Sequence, residues 1–490
     1  MHPVNRRFAG SATALAAATA LALTAAAPAL ATAPAQAGQE ARRSATVPVS
    51  VTPNGAQANS QAQSGAVSAD GRSAVFTSAA TDLVAQPSKG GTDAFLRDLV
   101  DGRTERVDLA DDGSALSGVT VGVAVSADGR YVAFDTTAAN VVPGAPAPGR
   151  ENVYVRDRLT GHTRLVSAPQ GTPDPDPGHS ASAPSMSADG RYVAYVSDRT
   201  DLVPAAAPAP APAATTTDSG ERLRLPNYDS NVYLTDLWTH TTRVVSATAA
   251  GAASRGQSVN PTISADGRTL GFSSNATDLG VTGAPAHRAD PAPSPASGRM
   301  RAGTYYTYDV RSHAVLPVSY DPTGHVSPDA TLDATLSPSG RYAVYGLTVP
   351  VGAPGGDRYQ DQLFARDLHT GALIPLTAGL PGTVSTATSD SAQVTGDDHW
   401  AYFDSSATNL VPGAQHEHWD VYRYDLRTGR VERVSDAADG SLGNGDSTTP
   451  HVDAHGGTVL FESTSRNLVA GPSAPPAPTD HQVFARRPAH

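Results

Sequence analysis

The feature that most constrains the fold is a nine-residue segment that recurs along the chain. It reads SADGRYVAF from Ser126 and SADGRYVAY from Ser187. Seven copies in all start 58 to 77 residues apart, with the looser ones beginning at Ser68, Ser264, Ser337, Thr395 and Asp453. A repeat of this period indicates that one supersecondary unit is used seven times.

Each copy has the pattern of two strands joined by a tight turn. An apolar residue precedes every copy and an aromatic residue ends it, as Val125 and Phe134 do in the second. Asp-Gly stands between them in the first four copies, and it favours a type I′ hairpin turn because both residues tolerate positive φ. The residues up to the aromatic are apolar without alternation, which predicts a strand covered on both faces.

Each unit then offers a second pair of strands. Segments such as NVYVRD from Asn152 and DVYRYD from Asp420 place an aromatic residue three positions before an Asp, and a turn and a further short strand pattern follow. Four strands in series predict an antiparallel meander, and seven meanders suit a ring whose neighbouring sheets cover each other. We therefore expect an all-β fold, a seven-bladed β-propeller of four-stranded antiparallel blades.

The two chain ends indicate how the ring closes. The last unit has the pattern of a third strand, HQVFARR from His481, but of no fourth. Near the N-terminus, VPVSVTPNG from Val47 matches the fourth strand and exit turn of the fourth unit, LPVSYDPTG from Leu316. We expect the N-terminal strand to complete the last blade, where Pro48 fits an outer edge because its missing N–H costs no ladder bond.

The units resemble the WD-repeat-like propeller repeats of TolB-type proteins, which follow the SADGRYVAF hairpin with a DVYVRDL-x-TG strand. The resemblance covers nearly all of the chain after the first 37 residues. It implies the propeller fold and says much less about function. TolB-type proteins also carry an N-terminal α/β domain, and because only a handful of residues precede the first strand, we expect the propeller alone here.

The first 37 residues have the pattern of a secretory signal peptide. A charged start precedes an Ala/Leu-rich run from Ala14 to Ala27, and Ala35-Gln36-Ala37 resembles a cleavage site. The run is shorter than the roughly 20 residues that a membrane span needs. We expect export after cleavage, with residues 38–490 forming one propeller domain without a membrane span.

Composition narrows the classes of partner. The net charge is -12 and no Lys/Arg-rich run occurs, which argues against nucleic acid because phosphate neutralisation needs clustered basic residues. The chain has no cysteine, which excludes disulfides, thiolate metal ligands and cysteine nucleophiles. We expect a monomer that is stabilised by packing alone.

The repeated acids of the hairpins have two interpretations. They are Asp70, Asp128, Asp189 and Asp266. Seven-fold geometry could gather them into a carboxylate ring, but an Asp before Gly in a hairpin is already explained by the turn. We favour the structural interpretation.

Two other groups carry ligand-type side chains. His416 and His418, on either side of Glu417, would face the same way on a strand, as metal ligands need, but would be solvated in a loop. Asp174, Asp176 and His179 could offer ligands to Ca²⁺, although their spacing matches no EF-hand. The sequence therefore predicts no catalytic, cofactor-binding or metal-binding residue.

Three Pro/Ala-rich segments indicate where function would lie. They run from Pro204 to about Pro226, from Gly283 to about Gly303 and from Gly471 to Thr479. All three fall between the second and third strands of a unit, so they emerge on the same face as the connections between blades, opposite the tight turns. Such loops can vary without disturbing the sheets.

We expect a secreted, non-catalytic scaffold that binds a protein, peptide or glycan on this long-loop face or in the channel mouth. Charge reversal at Glu417, Asp174 or Arg224 should then weaken binding more often than reversal at the opposite turns, as at Asp101 or Arg427. The alternative is a propeller enzyme, a glycosidase or lyase, with acids gathered around the channel. Carboxylates or histidines converging within hydrogen-bond reach would favour that alternative.

Overall fold

The computed structural model describes residues 46–488 apart from 87–88, 145–148, 175, 177, 205–228, 283–300, 329, 332, 351–358, 381–387, 414–416 and 470–480. The expected signal peptide, His416 and Arg224 lie outside the described residues, as does most of each Pro/Ala-rich segment. Within the described part, all regular secondary structure is β-strand. No helix there is long and apolar enough to cross a membrane.

The strands form seven antiparallel sheets, as expected for the seven blades. Blade 1 contains β2 (Ala62–Val67), β3 (Ser73–Ser78), β4 (Asp93–Asp98) and β5 (Thr104–Arg106). Blade 2 contains β6 (Thr120–Val125), β7 (Tyr131–Thr136), β8 (Asn152–Asp157) and β9 (Thr163–Leu165). Blade 3 contains β10 (Ala181–Met186), β11 (Tyr192–Ser197), β12 (Asn231–Asp236) and β13 (Thr241–Val244). Blade 4 contains β14 (Ser258–Ile263), β15 (Thr269–Ser274), β16 (Arg301–Asp309) and β17 (Val315–Pro317).

The remaining blades follow the same order. Between blades 4 and 5, the short strand β18 (Ala330–Thr331) pairs with β16 and makes that sheet five-stranded. Blade 5 contains β19 (Thr335–Leu336), β20 (Tyr342–Pro350), β21 (Tyr359–Asp367) and β22 (Leu373–Pro375). Blade 6 contains β23 (Ser389–Val394), β24 (Trp400–Ser405), β25 (Asp420–Asp425) and β26 (Val431–Arg433). Blade 7 contains β27 (Ser447–Val452), β28 (Val459–Ser463), β29 (Gln482–Arg486) and β1 (Thr46–Pro48).

The strands of each blade run in sequence from the axis to the rim. The first strands of neighbouring blades contact one another around the ring, whereas each fourth strand is the outer edge of its sheet. The hairpins between first and second strands therefore share one face with the turns between third and fourth strands, the short-turn face. The opposite, long-loop face carries the connections between blades and the loops from second to third strands.

The closure expected from the chain ends is confirmed. Strand β1 pairs antiparallel with β29, with Val47 opposite Ala485. Just beyond β1, the Ser50 hydroxyl donates to Oε1 of Gln482 at 2.7 Å and accepts the amide of Val483 at 3.0 Å. The same pair of bonds joins fourth strand to third in other blades, as where Ser246 meets Asn231 at 2.7 Å and the Val232 amide at 3.0 Å. The N-terminal strand thus occupies a regular fourth-strand position.

The hairpin turn differs from the expected type I′. Only the Gly of each Asp-Gly pair takes positive φ, 68° at Gly71, and the Asp does not. The Gly71 amide donates to the Ser68 carbonyl at 2.9 Å, and the Ser68 hydroxyl donates to Oδ1 of Asp70 at 2.6 Å. This is a type I turn followed by a left-handed Gly. It is favoured over the type I′ turn because the Asp, in a right-handed conformation, can accept hydrogen bonds from both the Ser68 hydroxyl and the Arg72 amide.

The hairpins bond to one another around the axis. The residue after the Ser, usually Ala, donates its amide to the carbonyl of its counterpart in the next blade: Ala69 to Ala127 at 3.0 Å, Ala127 to Ala188 at 2.9 Å and Ala188 to Ala265 at 3.0 Å. Ala454 of blade 7 donates to Ala69 of blade 1 at 3.2 Å, which carries the ring across the closure. These bonds tie blades 1 to 5 in series, and blade 7 to blade 1, independently of the side chains.

Aromatic pairs fill the blades. The aromatic that ends each repeat segment lies on the second strand and stacks on an aromatic of the third strand. Ring centroids lie 5.6 to 6.2 Å apart in the pairs Phe76–Phe95, Phe134–Tyr154, Tyr195–Tyr233, Phe272–Tyr306, Phe403–Tyr422 and Phe461–Phe484. Phe134 is 0% exposed, as expected for a strand covered on both faces.

The closure can be tested by deletion. In protein that starts at residue 38, removing residues 46–52 should lower the free energy of unfolding by several kcal/mol. The deletion leaves β29 with an unpaired edge and removes the buried Val49 and Val51. Urea unfolding followed by tryptophan fluorescence measures the change. The control removes residues 38–45 only; equal stability of the two deletions would contradict the closure.

The aromatic core predicts a second result. Phe134→Ala should destabilise the protein by about 3 to 5 kcal/mol, because a buried ring is lost and a cavity remains. Leu159→Ala is the control, since Leu159 is 76% exposed on a turn of the same blade, and its effect should stay within about 0.5 kcal/mol. Similar losses for the two variants would show that this strand does not form the blade interior.

Candidate functional site

Charged side chains of the short-turn face are used in structural pairs. Arg130, which follows the hairpin Gly, donates to both carboxylate oxygens of Asp157 at 2.9 and 2.7 Å. The hydrogen bonds from Arg130 are the main reason that the pKa of Asp157 is lowered, and backbone amide donors such as that of Leu159 lower it further. The same pair recurs as Arg72–Asp98, Arg191–Asp236 and Arg341–Asp367. These pairs hold hairpin to turn within a blade.

Each repeated hairpin acid accepts hydrogen bonds within its own turn. Each is held by the Ser two positions earlier, at 2.6 Å for Asp128 and Asp189 and 2.7 Å for Asp266. Each also accepts the amide of the following Arg at 2.9 to 3.0 Å. The structural interpretation of these residues agrees with this geometry.

The residues considered for Ca²⁺ do come together, but as a self-contained cluster. His179 Nδ1 lies 3.0 Å from Oδ2 of Asp174, and its Nε2 lies 3.4 Å from Oδ2 of Asp176. Although burial opposes the shift, the amides of Asp176 and Thr200 lower the pKa of Asp174 to about 2. The Asp174 side chain is 0% exposed, so it fixes the loop between blades 2 and 3 and is a poor choice for a surface charge reversal.

Of the two histidines considered as a metal pair, only His418 is described. Its Nδ1 lies 3.4 Å from Oδ1 of Asp446, which belongs to the connection into blade 7. Glu417 is exposed beside it on the long-loop face. Among the described residues, no group of three or more His, Asp or Glu side chains is placed to hold a metal ion.

The mouth of the channel on the long-loop face holds a different set of acids, near the ends of second strands. Asp135 of β7 accepts the Gly122 amide of its own blade at 2.9 Å and the Ala183 amide of blade 3 at 2.8 Å. Glu462 of β28 accepts the Ser64 amide of blade 1 at 3.0 Å. Both carboxylates satisfy amides where the first strand bulges, so each bridges two blades.

Beside each bridging acid lies a side chain with fewer contacts. Glu151, just before β8, accepts no side-chain hydrogen bond among the described residues, and burial followed by the nearby Asp135 raises its pKa. His481, at the same position before β29, has Nδ1 3.7 Å from Oε2 of Glu462. That Nδ1 is buried without a hydrogen-bond partner in the described part of the chain. Gln63 is exposed at the start of β2, next to Ser64.

We call Gln63, Glu151, Glu462 and His481, which lie at strand ends on the long-loop face of blades 1, 2 and 7, the mouth cluster. Burial raises the pKa of Glu462, so it holds a proton more readily than an exposed Glu. The 3.7 Å separation from His481 exceeds a hydrogen bond, and Oε1 of Glu462 is already used by Ser64. The arrangement can donate and accept hydrogen bonds to a ligand, and it does not assemble a proton-transfer pair.

Sequence reasoning did not find the mouth cluster. Glu462 and Asp135 occupy the same strand position, directly after the aromatic, where blade 6 has Asp404 and blades 3 and 5 have Val196 and Gly346. The repeat segment ends at the aromatic, so the periodic pattern does not include this position. An acid there in three of the seven copies was the signal available.

A second unusual group is buried in blade 1. Asp108 stands where most other blades have the Ser that bonds third strand to fourth, and it accepts the Thr120 hydroxyl at 2.7 Å. Asp93 and Arg106 are paired beside it at 2.9 Å, with each side chain 2% exposed. Burial, and then repulsion from Asp93, raises the pKa of Asp108 to about 8. Asp108 is therefore largely neutral below that pH.

Comparison with known proteins assigns the chain to no family. No family model and no curated protein matches the chain. Among solved structures it is similar to an oligogalacturonate lyase in complex with manganese, at 12% identity and a TM-score of 0.49, covering 91% of this chain and 98% of that one.

Two further solved structures are similar. One is the β-propeller domain of the Trilobed protease from Pyrococcus furiosus, at 12% identity and a TM-score of 0.42, covering 71% of this chain and 78% of that one. The other is TolB from Acinetobacter baumannii, at 15% identity and a TM-score of 0.35, covering 86% of this chain and 81% of that one. At these identities the likenesses concern the fold alone. The class of the chain is a seven-bladed β-propeller.

The Asp108 site predicts a pH dependence of stability. Because the folded pKa lies above the unfolded value, the neutral acid favours folding below about pH 4 and this contribution is lost as pH rises towards about 8. Asp108→Asn should remove this decrease in the free energy of unfolding with rising pH, which can reach about 1.4 kcal/mol per pH unit. Urea unfolding between pH 5 and 8.5 measures the slope. The control Asp112→Asn changes an exposed acid; if both variants keep the parent slope, Asp108 does not titrate in this range.

Proposed function

We propose that this protein is a secreted, non-catalytic scaffold whose long-loop face binds a protein, peptide or glycan at the channel mouth. The observation that carries the proposal is the contrast between the two faces. Arginines and aspartates of the short-turn face are paired with one another, whereas the mouth cluster offers Glu151, His481 and Gln63 with few internal contacts. Polar groups that the fold does not use are the ones available to a ligand.

The topology supports the same face. The chain leaves for its Pro/Ala-rich segments at Pro204, Thr282 and Val469, all at the long-loop ends of second strands or just beyond them. Variable loops held by a rigid scaffold are a common location of binding residues. Export follows from the signal-peptide pattern of the first 37 residues, and the absence of cysteine is compatible with an oxidising compartment.

An enzyme at the same mouth is the second candidate. The raised pKa values of Glu151 and Glu462 favour it, since a general acid with a raised pKa is typical of glycosidases and lyases. Against it stand the use of one Glu462 oxygen by Ser64 and its distance from His481. Binding requires neither a free carboxylate pair nor a proton path.

The proposal predicts which surface changes matter. Immobilised protein should capture a component of culture supernatant or cell-wall extract, and Glu417→Lys or Glu151→Lys should reduce the capture by about tenfold or more, as expected when a like charge faces a bound partner. Asp101→Lys is the matched control on the short-turn face, where the Asp101 side chain is 64% exposed. Titration of each variant against the captured component gives the affinities.

Two outcomes would contradict the proposal. If only Asp101→Lys weakens capture, the binding face is the opposite one. If the parent protein instead releases reducing ends or unsaturated products from a panel of polysaccharides, and Glu462→Gln abolishes that release while the protein stays folded, the mouth is an active site. Circular dichroism and urea unfolding establish that each variant remains folded.

A further inference from the structure

The rim of the propeller has a groove between blades 3 and 4. Its volume is about 1040 Å³, and its walls include Arg243 of β13, Tyr308 of β16, Val315 of β17 and His313. All four residues of β13 line it. Successive residues of a strand point to opposite faces, so a groove that touches all of them must run along the edge of the strand. It is separate from the mouth cluster, which lies near the axis.

Two histidines at this groove hold a backbone conformation that other blades give to Gly. The turn between third and fourth strands has Gly at positive φ in four blades, as at Gly161 with 77°. In blades 3 and 4 the residue is His240, at 57°, and His313, at 61°. Side chains rarely adopt this conformation because Cβ crowds the carbonyl. Strained residues of this kind concentrate at binding sites. His313 lines the groove, and His240 directly precedes Thr241, which also lines it.

The groove differs in charge from the rest of the molecule. The chain carries a net charge of -12, yet none of the described residues that line the groove is an acid. Nη1 of Arg243 lies 3.4 Å from the Val310 carbonyl and 2.5 Å from Nε2 of His313. Among the described residues Arg243 makes no ion pair, in contrast to Arg191, which pairs with Asp236 at 2.7 Å. The groove is therefore complementary to an anion.

The shape of the groove indicates which class of ligand it would bind. Strand β13 is the outer strand of its sheet and pairs only with β12 among the described strands, so its other edge has unpaired backbone groups. Four residues of strand extend over about 13 Å. An extended peptide can add to such an edge through main-chain hydrogen bonds while its side chains enter adjacent pockets. Val244, Val245 and Val315 provide apolar walls on either side.

We propose that the groove between blades 3 and 4 binds an extended peptide segment by strand addition to β13, with a carboxylate of the peptide paired to Arg243. His313 holds the guanidinium in place through its Nε2, which accepts from Arg243 because arginine has only donors. The site is distinct from the proposed binding face at the channel mouth. Loss of binding at one site should not affect the other.

The test uses peptides of defined sequence and the protein from residue 38 onward. The probes are fluorescent hexapeptide amides of Val and Thr with one Glu at each of the six positions, together with the same set carrying Gln. Fluorescence anisotropy should show at least one Glu peptide binding about tenfold more tightly than its Gln counterpart, the effect of one charge-assisted bond. Arg243→Gln should abolish that preference.

Arg164→Gln is the matched control. Arg164 is the equivalent residue of blade 2, and its Nη1 donates to the Leu237 carbonyl of the next blade at 3.1 Å. Arg164 therefore makes the same contact between blades that Arg243 makes with the Val310 carbonyl. This control should leave the Glu preference unchanged. If it reduces the preference as much as Arg243→Gln, or if no Glu peptide binds better than its Gln counterpart, the proposal is overturned.

His313→Gly separates binding from folding. Gly adopts positive φ without strain, so the variant should unfold at an equal or higher urea concentration than the parent. It should nevertheless bind the Glu peptide several-fold more weakly, because Arg243 loses its positioning contact. Unchanged affinity would overturn the role given to His313. Concentration-dependent dimerisation that Arg243→Gln abolishes would identify a second copy as the occupant and overturn the peptide proposal.

Discussion

The interaction on which the ring depends is the bond between neighbouring hairpins around the axis. The amide of one alanine reaches the carbonyl of the next, as from Ala127 to Ala188 at 2.9 Å, so the hairpins must keep one height and one orientation. The Ser and Asp of the repeat serve this geometry by fixing the turn that presents the alanine. Pro338 takes the alanine position in blade 5 and accepts from Ala265 but has no N–H to donate, so the seam to blade 6 relies on other contacts.

Bonds from side chains to backbone amides add to this ring at the seams between blades, and the side chain that accepts differs from seam to seam. Asp135 bridges blades 2 and 3, Ser185 accepts the Ile263 amide of blade 4 at 3.1 Å, and Thr262 accepts the Leu336 amide of blade 5 at 3.0 Å. A short hydroxyl suffices where the neighbouring strand lies close, whereas a carboxylate spans the bulges at the mouth. The backbone ring gives the common frame, and individual seams distinguish the blades.

The limits of sequence reasoning follow from the same division. Repetition made the blade number, the aromatic core and the closure by β1 predictable, because each appears several times or matches another unit. The predicted turn type was wrong because Asp-Gly is compatible both with a type I′ turn and with a type I turn followed by a left-handed Gly. The choice between them depends on a hydrogen bond from the Ser68 hydroxyl that the repeat pattern does not reveal. Glu462 and His481 come together from different strands of one blade, and the repeat segment, which ends at the aromatic Phe461, does not show this contact.

Functional differences should therefore be sought where a blade departs from the others. His240 and His313 replace Gly in a turn that is regular elsewhere, and positive φ at a residue with a side chain costs conformational energy. His313 stacks on Tyr308 and contacts Arg243 in the rim groove, and His240 directly precedes Thr241 of the groove lining, which holds no acid among the described residues. A ligand in this groove would account for a strained residue beside it in two neighbouring blades, since four other blades build the same turn with glycine.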